Sequence, residues 1–276
     1  MNAVVERYSA GAREYQRWWA PVLEQTSARL VDYLEWYAGG PPPADMNAVD
    51  VGTGTGTLAA AMLSRWPRVR VTASDAAQGM VEVARDRLTS SDAARLSVVH
   101  GPAHALPLAA GSADLVVSSF VLQLVPDRLA ALREGWRLLG AGGVLGYVTW
   151  IDREDYDFDP RIEFDEAVLE LGIDEPDEGG ERVAGDVPSA RAAAAQLRRA
   201  GFREAVARED RLEYDWTLDS YLEYKLAYDE RALMAALSEE QQEQLARRAR
   251  ERLAALPASA FEWRPPIVFA AARKPG

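Results

Sequence analysis

Asp50-Val51-Gly52-Thr53-Gly54-Thr55-Gly56 is the stretch whose residue types and spacing best suit a ligand. It follows an extended apolar run, Ala48-Val49, and precedes a helix-forming run, Leu58-Ala59-Ala60-Ala61-Met62-Leu63. A strand, a glycine turn and a helix in that order form a ligand-binding corner of an α/β sheet. Glycines lack Cβ, so the backbone turns tightly and a ligand can lie directly on it. Asp75 follows one strand later, near the spacing at which a carboxylate grips a ribose hydroxyl pair. The chemistry implied is the binding of a nucleotide-like cofactor.

Other reactive side chains are few. The histidines are His100 and His104. His100 ends an apolar strand and reads as a satisfied core histidine. His104 lies in a loop expected to face the cofactor cleft, which makes it the candidate general base. There are no cysteines, which excludes disulfides, thiolate nucleophiles, Cys-ligated zinc and iron–sulfur clusters. With two histidines, no multi-histidine metal site is expected. Tyr8, Tyr15, Trp18 and Trp19 form an aromatic group before the sheet. Tyr221, Tyr224 and Tyr228 fall at i, i+3 and i+7, on one face of a helix. Each group suits either packing or a pocket.

The elements that must position these residues follow from periodicity. Residues 1–38 read as helix, with a second helix starting near Pro21 after a break, since Pro is tolerated in a first turn. Gly39-Gly40-Pro41-Pro42-Pro43 makes a linker. Strands and helices then alternate: strand Ala48–Val51, helix Leu58–Arg65, strand Val69–Ala73, helix Gln78–Leu88, strand Leu96–Val99, strand Asp114–Ser119, helix Arg128–Leu139 and strand Val144–Thr149. Gly140-Ala141-Gly142-Gly143 punctuates the last two. This alternation predicts a parallel sheet with helices on both faces. Residues 152–188, rich in Asp and Glu, read as a mobile connection, with the acidic run 152–178 a solvated loop. Beyond it come helix Ala190–Ala200, strand Arg203–Arg208, helices Thr217–Tyr228 and Ser238–Leu256, and a final strand Ile267–Ala272. Ser238-Glu239-Glu240-Gln241 is a capping box, and Leu245, Ala249, Leu253 and Leu256 make the buried stripe of the helix behind it.

The whole chain bounds the class. Its 276 residues suit one α/β domain with an elaboration, or one and a half domains. A net charge of −12 disfavours a nucleic-acid partner and favours a small molecule. No apolar run approaches the ~20 residues of a membrane span. Residues 1–15 lack the apolar core of a signal peptide. The expectation is a cytoplasmic protein without membrane or nucleic-acid partners; its oligomeric state is open.

The glycine corner fits two cofactor classes. Gly54-Thr55-Gly56-Thr57-Leu58-Ala59 matches the dinucleotide pattern G-x-G-x-x-A. Read from Asp50, the pattern is D-x-G-x-G-x-G. Four stretches in order decide between them: Asp50–Gly56; Ala73-Ser74-Asp75-Ala76-Ala77-Gln78-Gly79-Met80; Val99–Leu108 with Ser112–Ser119; and Leu132–Gly143. Together they resemble the class I S-adenosylmethionine (SAM)-dependent methyltransferases of the UbiE-like, methyltransferase type 11 small-molecule family, closely over residues 46–150.

The resemblance implies a Rossmann-like, mostly parallel α/β sheet. It implies an N-terminal helical segment over 1–43, a SAM-binding core over 44–210, a helical lid over 211–262 and a final strand over 263–276. It implies that Gly52, Thr53 and Gly54 carry the methionine end of SAM, with Asp50 orienting that loop or meeting the amino group. Asp75 would accept the ribose hydroxyls, Ala76 and Met80 would flank adenine, Ala103 and His104 would meet its edge, and Ser119 would lie near the methionine. Tyr8, Tyr15, Trp19, Gln123, Trp150, Tyr221 and Tyr224 are the candidate acceptor-pocket residues. The sequence departs from the family at Pro102, where an Asp is frequent, and at His104, where an acidic residue is. Adenine recognition then falls to backbone or to His104. The function implied is methyl transfer from SAM to a small acceptor. The alternatives are a SAM-fold protein without methyl transfer and, more remotely, an NAD-dependent oxidoreductase, for which Lys and His are scarce.

Overall fold

The computed structural model describes residues 3–43, 45–92, 94–152, 156–173 and 183–276. The chain opens with helices α1 (Ala3–Ala10), α2 (Ala12–Trp18) and α3 (Ala20–Ala38), the last with its proline in the first turn. Then come β1 (Asn47–Val51), α4 (Thr57–Arg65), β2 (Arg70–Asp75), α5 (Gln78–Asp92), β3 (Leu96–His100), β4 (Ala113–Ser119), α6 (Arg128–Leu138) and β5 (Leu139–Trp150). The remainder is α7 (Asp159–Glu170), α8 (Ala190–Arg199), β6 (Arg203–Arg211), β7 (Tyr214–Asp215), α9 (Leu218–Tyr224), a π-helical turn over Lys225–Asp229, α10 (Arg231–Ala236), α11 (Glu239–Leu253), β8 (Glu262–Trp263) and β9 (Pro266–Arg273).

The described residues fall into two compact units. The first comprises those within 1–153, 181–211 and 266–276. It holds a seven-stranded sheet in the order β3-β2-β1-β4-β5-β9-β6. The first five strands run parallel, and β9 is antiparallel to both β5 and β6. Helices cover both faces. Neighbouring residues of β5 show it: Leu145 packs against Gly135 of α6, while Gly146 faces Leu34 of α3, and successive strand residues point to opposite sides. Chain order reverses between β1 and β4, so a crevice opens there at the carboxyl ends of the strands.

The second unit comprises the described residues within 154–180 and 212–265. Its core is aromatic. Trp216 lies 4.9 Å from Tyr224 and 5.7 Å from Tyr221, and Tyr221 meets Phe158 at 5.6 Å. Leu245, Ala249 and Leu253 of α11 are fully buried, as the stripe predicts, and Leu256 is only partly so. The capping box at Ser238 and Gln241 is present.

Four sequence expectations need correction. The 152–188 stretch is not a connection throughout, because α7 lies within it; the portions at 153–155 and 174–182 lie outside the described residues. Pro160, Phe164, Ala167 and Val168 are buried at helical spacing, behind a charged outer face that hides the stripe in composition. The Thr217–Tyr228 helix is α9 followed by the π-helical turn. Strand β5 begins at Leu139 rather than Val144. It carries the Gly140–Gly143 run as a bulge, with Ala113 opposite Leu139 and Leu115 opposite Val144, and Gly142 takes φ 75° to allow it. His100 is exposed, because β3 is the sheet's edge; its Nε2 lies 2.8 Å from the carbonyl of Ala76.

Candidate functional site

The glycine corner sits on the β1 side of the switch point. Gly52, Gly54 and Gly56 all take positive φ, at 71°, 56° and 89°. A Cβ on Gly52 would lie 2.4 Å from Val121 in the loop after β4, so space excludes a side chain there. At Gly54 a Cβ would make only an ordinary 3.7 Å contact with the Tyr15 ring, and the positive φ is what selects glycine. The loop is pinned to its neighbours. Thr53 N donates to the Ser74 carbonyl, Ser74 Oγ to the Asp50 carbonyl and Ser118 Oγ to the Val51 carbonyl.

Asp50 and Asp75 supply the charge. Asp50 is 1% exposed. Its Oδ2 accepts from Thr53 Oγ1 at 2.7 Å, and its Oδ1 is buried without a hydrogen-bond partner. Burial, with the nearby Asp75 adding to it, pushes the Asp50 carboxyl up to about 7 against the Thr53 hydrogen bond and the backbone amide of Ala59. Asp75 ends β2 half-buried. Its Oδ2 accepts from Gly54 N at 2.8 Å and its Oδ1 from Ala77 N at 2.9 Å. Burial raises its pKa while these amides pull it down. Each Asp75 oxygen keeps a lone pair, so the same carboxylate that ties the glycine loop to α5 can accept two further hydroxyls. Thr55 Oγ1, inside the loop, is also buried without a partner. Gln16, Thr26, Tyr147 and Arg252 also keep a buried atom without a partner, but at the corner two such atoms fall within Asp50–Thr55, beside the glycine turn. The donor set fits a cofactor with a cation and a ribose diol.

The N-terminal helices lie against this corner. Ala12, Ala77 and Met80 form a small buried cluster with Val5, Tyr8, Tyr15 and Val83 packed on it. Ser9 Oγ accepts from Gly79 N at 2.9 Å, and a Cβ on Gly79 would lie 2.1 Å from the Ser9 carbonyl. Only glycine lets α1 approach α5 so closely. Met80 is thus beneath the N-terminal helices, and Ala76 is half-buried beside it. Trp19 is half-buried where α2 gives way to α3.

On the β4 side, Ser119 is half-buried with its Oγ 3.3 Å from Ser27 Oγ. Phe120 takes φ 55°, a left-handed conformation costing a non-glycine residue on the order of 1–3 kcal/mol. Its N donates to the Val148 carbonyl, and its carbonyl accepts from Gln123 Nε2 at 2.7 Å. Gln123 Oε1 in turn accepts from Thr149 Oγ1 at 2.8 Å, and the Phe120 ring lies 4.3 Å from Trp150. Gln123 and Trp150 therefore meet through Phe120, a residue the sequence did not single out. No glycine or proline marks that turn. Ala103 is half-buried and His104 exposed in the loop after β3. Tyr221 and Tyr224 are buried in the second unit's aromatic core. Burial raises the pKa of both phenols, and the Tyr224 hydroxyl donates to Asp229 Oδ1 at 3.0 Å. Among the described residues no group of three or more His, Cys, Asp or Glu suits a metal ion, and no helix is long and apolar enough to cross a membrane.

Comparison with known proteins agrees with this geometry. Residues 49–146 match the family described as "Methyltransferase domain". A malonyl-acyl-carrier-protein O-methyltransferase of Geobacter sulfurreducens is 34% identical over 145 residues, 52% of this chain and 52% of that protein. A demethylmenaquinone methyltransferase of Listeria monocytogenes is 35% identical over 103 residues, 37% and 44% of the two chains. The chain thus spans about half the length of the curated relatives it matches. A Haemonchus contortus phosphoethanolamine N-methyltransferase, solved with S-adenosylhomocysteine and phosphomonomethylethanolamine, shares the fold at a TM-score of 0.55 and 18% identity, over 90% of this chain and 53% of that one. The stretch that matches the methyltransferase domain, residues 49–146, is the part of the first unit that carries the parallel sheet and the glycine corner at its switch point.

Proposed function

We propose that this protein transfers a methyl group from SAM to a small-molecule acceptor. The observation that carries the reading is the corner at the β1–β4 switch point, where Asp50 keeps a buried oxygen without a partner and Asp75 braces the glycine loop with lone pairs to spare. The relatives' names and the order of the four motifs support it.

When bound, SAM supplies an activated methyl group on a sulfonium, so the acceptor's lone pair takes the methyl and the S–CH3 electrons return to sulfur. The residues' work is binding and alignment. Gly52, Thr53 and Gly54 present bare backbone to the methionine end, with Asp50 facing its ammonium group. Asp75 takes the ribose diol. Ala76, Ala103 and His104 are assigned to the base, and Ser119 to the methionine side. Tyr15, lying over Gly54, and the Phe120–Trp150 pair beside Gln123 are assigned to the acceptor side, with Tyr8 and Trp19 behind Tyr15. Where the acceptor arrives protonated, His104 is the candidate base. The acidic balance favours small molecules over nucleic acid.

The test is label transfer. Purified protein with methyl-labelled SAM and a panel of small O-, N- and C-nucleophiles is expected to give a labelled product and an equal amount of S-adenosylhomocysteine. S-adenosylhomocysteine that binds without product formation across all three acceptor classes would turn the reading toward a SAM-binding protein with another activity.

A further inference from the structure

The loop from β3 toward β4 runs through Gly101-Pro102-Ala103-His104-Ala105-Leu106-Pro107-Leu108. It starts at the cofactor corner, because Gly101 N donates to the carbonyl of Asp75 at 2.9 Å. A base on a ribose held by Asp75 must therefore lie beside this loop. Its main chain makes two hydrogen bonds of its own, Ala105 N to the Pro102 carbonyl and Leu108 N to the Leu106 carbonyl.

The rest of its anchoring comes from α6. Glu134 Oε1 accepts from Leu106 N at 2.8 Å. Arg137 Nη2 donates to the carbonyls of Leu108 at 2.9 Å and Leu106 at 3.3 Å. The two side chains are themselves paired, Arg137 Nε to Glu134 Oε2 and Nη2 to Glu134 Oε1, both at 2.7 Å. Both main-chain groups of Leu106 are thus held by one ion pair. Glu134 is 8% exposed, so its carboxylate is withdrawn from water to hold a loop amide. The Arg137 hydrogen bond keeps it well below the usual carboxylate range, so the pair is charged at neutral pH. Arg137 is 37% exposed, so the buried partner is the carboxylate, and for cohesion alone an apolar side chain of similar volume often serves equally well in such a place. What such a pair provides is a fixed main-chain position. That position matters here because Pro102 has no N–H, and Pro102, Ala103 and Ala105 have no polar side chain. Apart from His104, this loop meets a base with backbone.

We propose that Glu134 and Arg137 are positioning residues for the cofactor's adenine: they hold the 101–108 backbone where it meets the base, without touching the cofactor. This rests on the reading of the corner as a SAM site.

The test compares Glu134→Leu, Glu134→Gln, Arg137→Met and Asp75→Ala with the wild type. Affinities for S-adenosylhomocysteine and for 5′-methylthioadenosine, which lacks the amino-acid end, are measured by calorimetry at a temperature where each variant is folded. Glu134→Leu is expected to weaken both ligands by the same factor, about tenfold, or some 1.4 kcal/mol. Glu134→Gln, which keeps an acceptor for Leu106 N, is expected to recover most of the loss. If Glu134→Leu does not fold, Arg137→Met carries the test, with a several-fold loss shared by both ligands expected. Unchanged affinity in a folded variant, or a loss confined to S-adenosylhomocysteine, overturns the proposal. If Asp75→Ala loses binding while the Glu134 and Arg137 variants keep it, only the positioning role falls. If the wild type binds neither ligand, the SAM reading falls and takes this inference with it.

Discussion

The glycine corner of the first unit and the aromatic core of the second hold the same kinds of side chain in opposite states. In the second unit, Arg252 Nε is buried without a partner, but the charged groups around Lys225 satisfy one another. Lys225 is 3% exposed; burial works against its charge, but Asp229 at 2.8 Å and Glu230 at 2.6 Å more than offset this and raise its pKa. Its ammonium also sits 4.7 Å from the Phe164 ring, and Tyr224 bonds Asp229. At the corner, Asp50 and Thr55 keep buried oxygens without partners, and Phe120 holds a strained backbone two strands along the sheet from Asp75. A network that closes on itself contributes stability; one left open is positioned for a ligand.

Variants on the two sides should therefore separate stability from binding. The largest effect is expected in the second unit. Tyr221→Ala or Tyr224→Ala should cost about 3–5 kcal/mol of stability, the usual range for emptying a buried aromatic site. Chemical denaturation measures it. A melting temperature within a degree of wild type, together with a changed acceptor preference, would break the comparison and move these tyrosines into the pocket.

At the corner the sign reverses. The Asp50 carboxyl is pushed up from its ordinary value to about 7, so the folded state binds its proton more tightly than the unfolded chain. Its contribution to stability is full below the unfolded pKa and is lost as pH rises through the folded one. Asp50→Asn removes that loss and should stabilise the ligand-free protein at pH 8 by on the order of 2–4 kcal/mol. The same variant should bind S-adenosylhomocysteine more weakly. Denaturation at pH 5 and pH 8 checks it; a variant less stable than wild type at pH 8 would mean that Asp50 is satisfied without a ligand.

Asp75→Ala should weaken S-adenosylhomocysteine by on the order of 1–3 kcal/mol, the worth of hydrogen bonds to a charged group. Part of that loss comes from freeing Gly54 and Ala77. The smallest effect is expected at the N-terminal helices. Gly79→Ala forces a Cβ into the Ser9 carbonyl and should speed amide exchange over residues 3–18, at about 1–3 kcal/mol of overpacking strain. Exchange unchanged there would show that α1 is not held by this contact.

How far the sequence reaches is instructive at particular residues. The corner was legible because D-x-G-x-G-x-G stood between a strand and a helix, and because backbone that must take positive φ leaves glycines behind. Asp75 was legible by spacing, and as a cap for the helix after it, but its hold on Gly54 was not, since a side-chain bond to a loop on the neighbouring strand has no pattern in the chain. Helix α7 was hidden because its stripe of Pro160, Phe164, Ala167 and Val168 is diluted by acids. Phe120 carried no turn residue. Glu134 and Arg137 stand i,i+3 on one helix, and only the fold brings the 106–108 backbone to them.

The central claim is that the β1–β4 corner holds SAM, and calorimetric titration of the wild-type protein with S-adenosylhomocysteine and with NAD tests it most directly. Run at pH 7 in buffers of different ionisation enthalpy, it should show one saturable S-adenosylhomocysteine site. Proton release should accompany binding, because an ammonium beside Asp50 favours its ionised form. NAD should give no saturable heat. Saturable NAD binding with no response to S-adenosylhomocysteine would contradict the account.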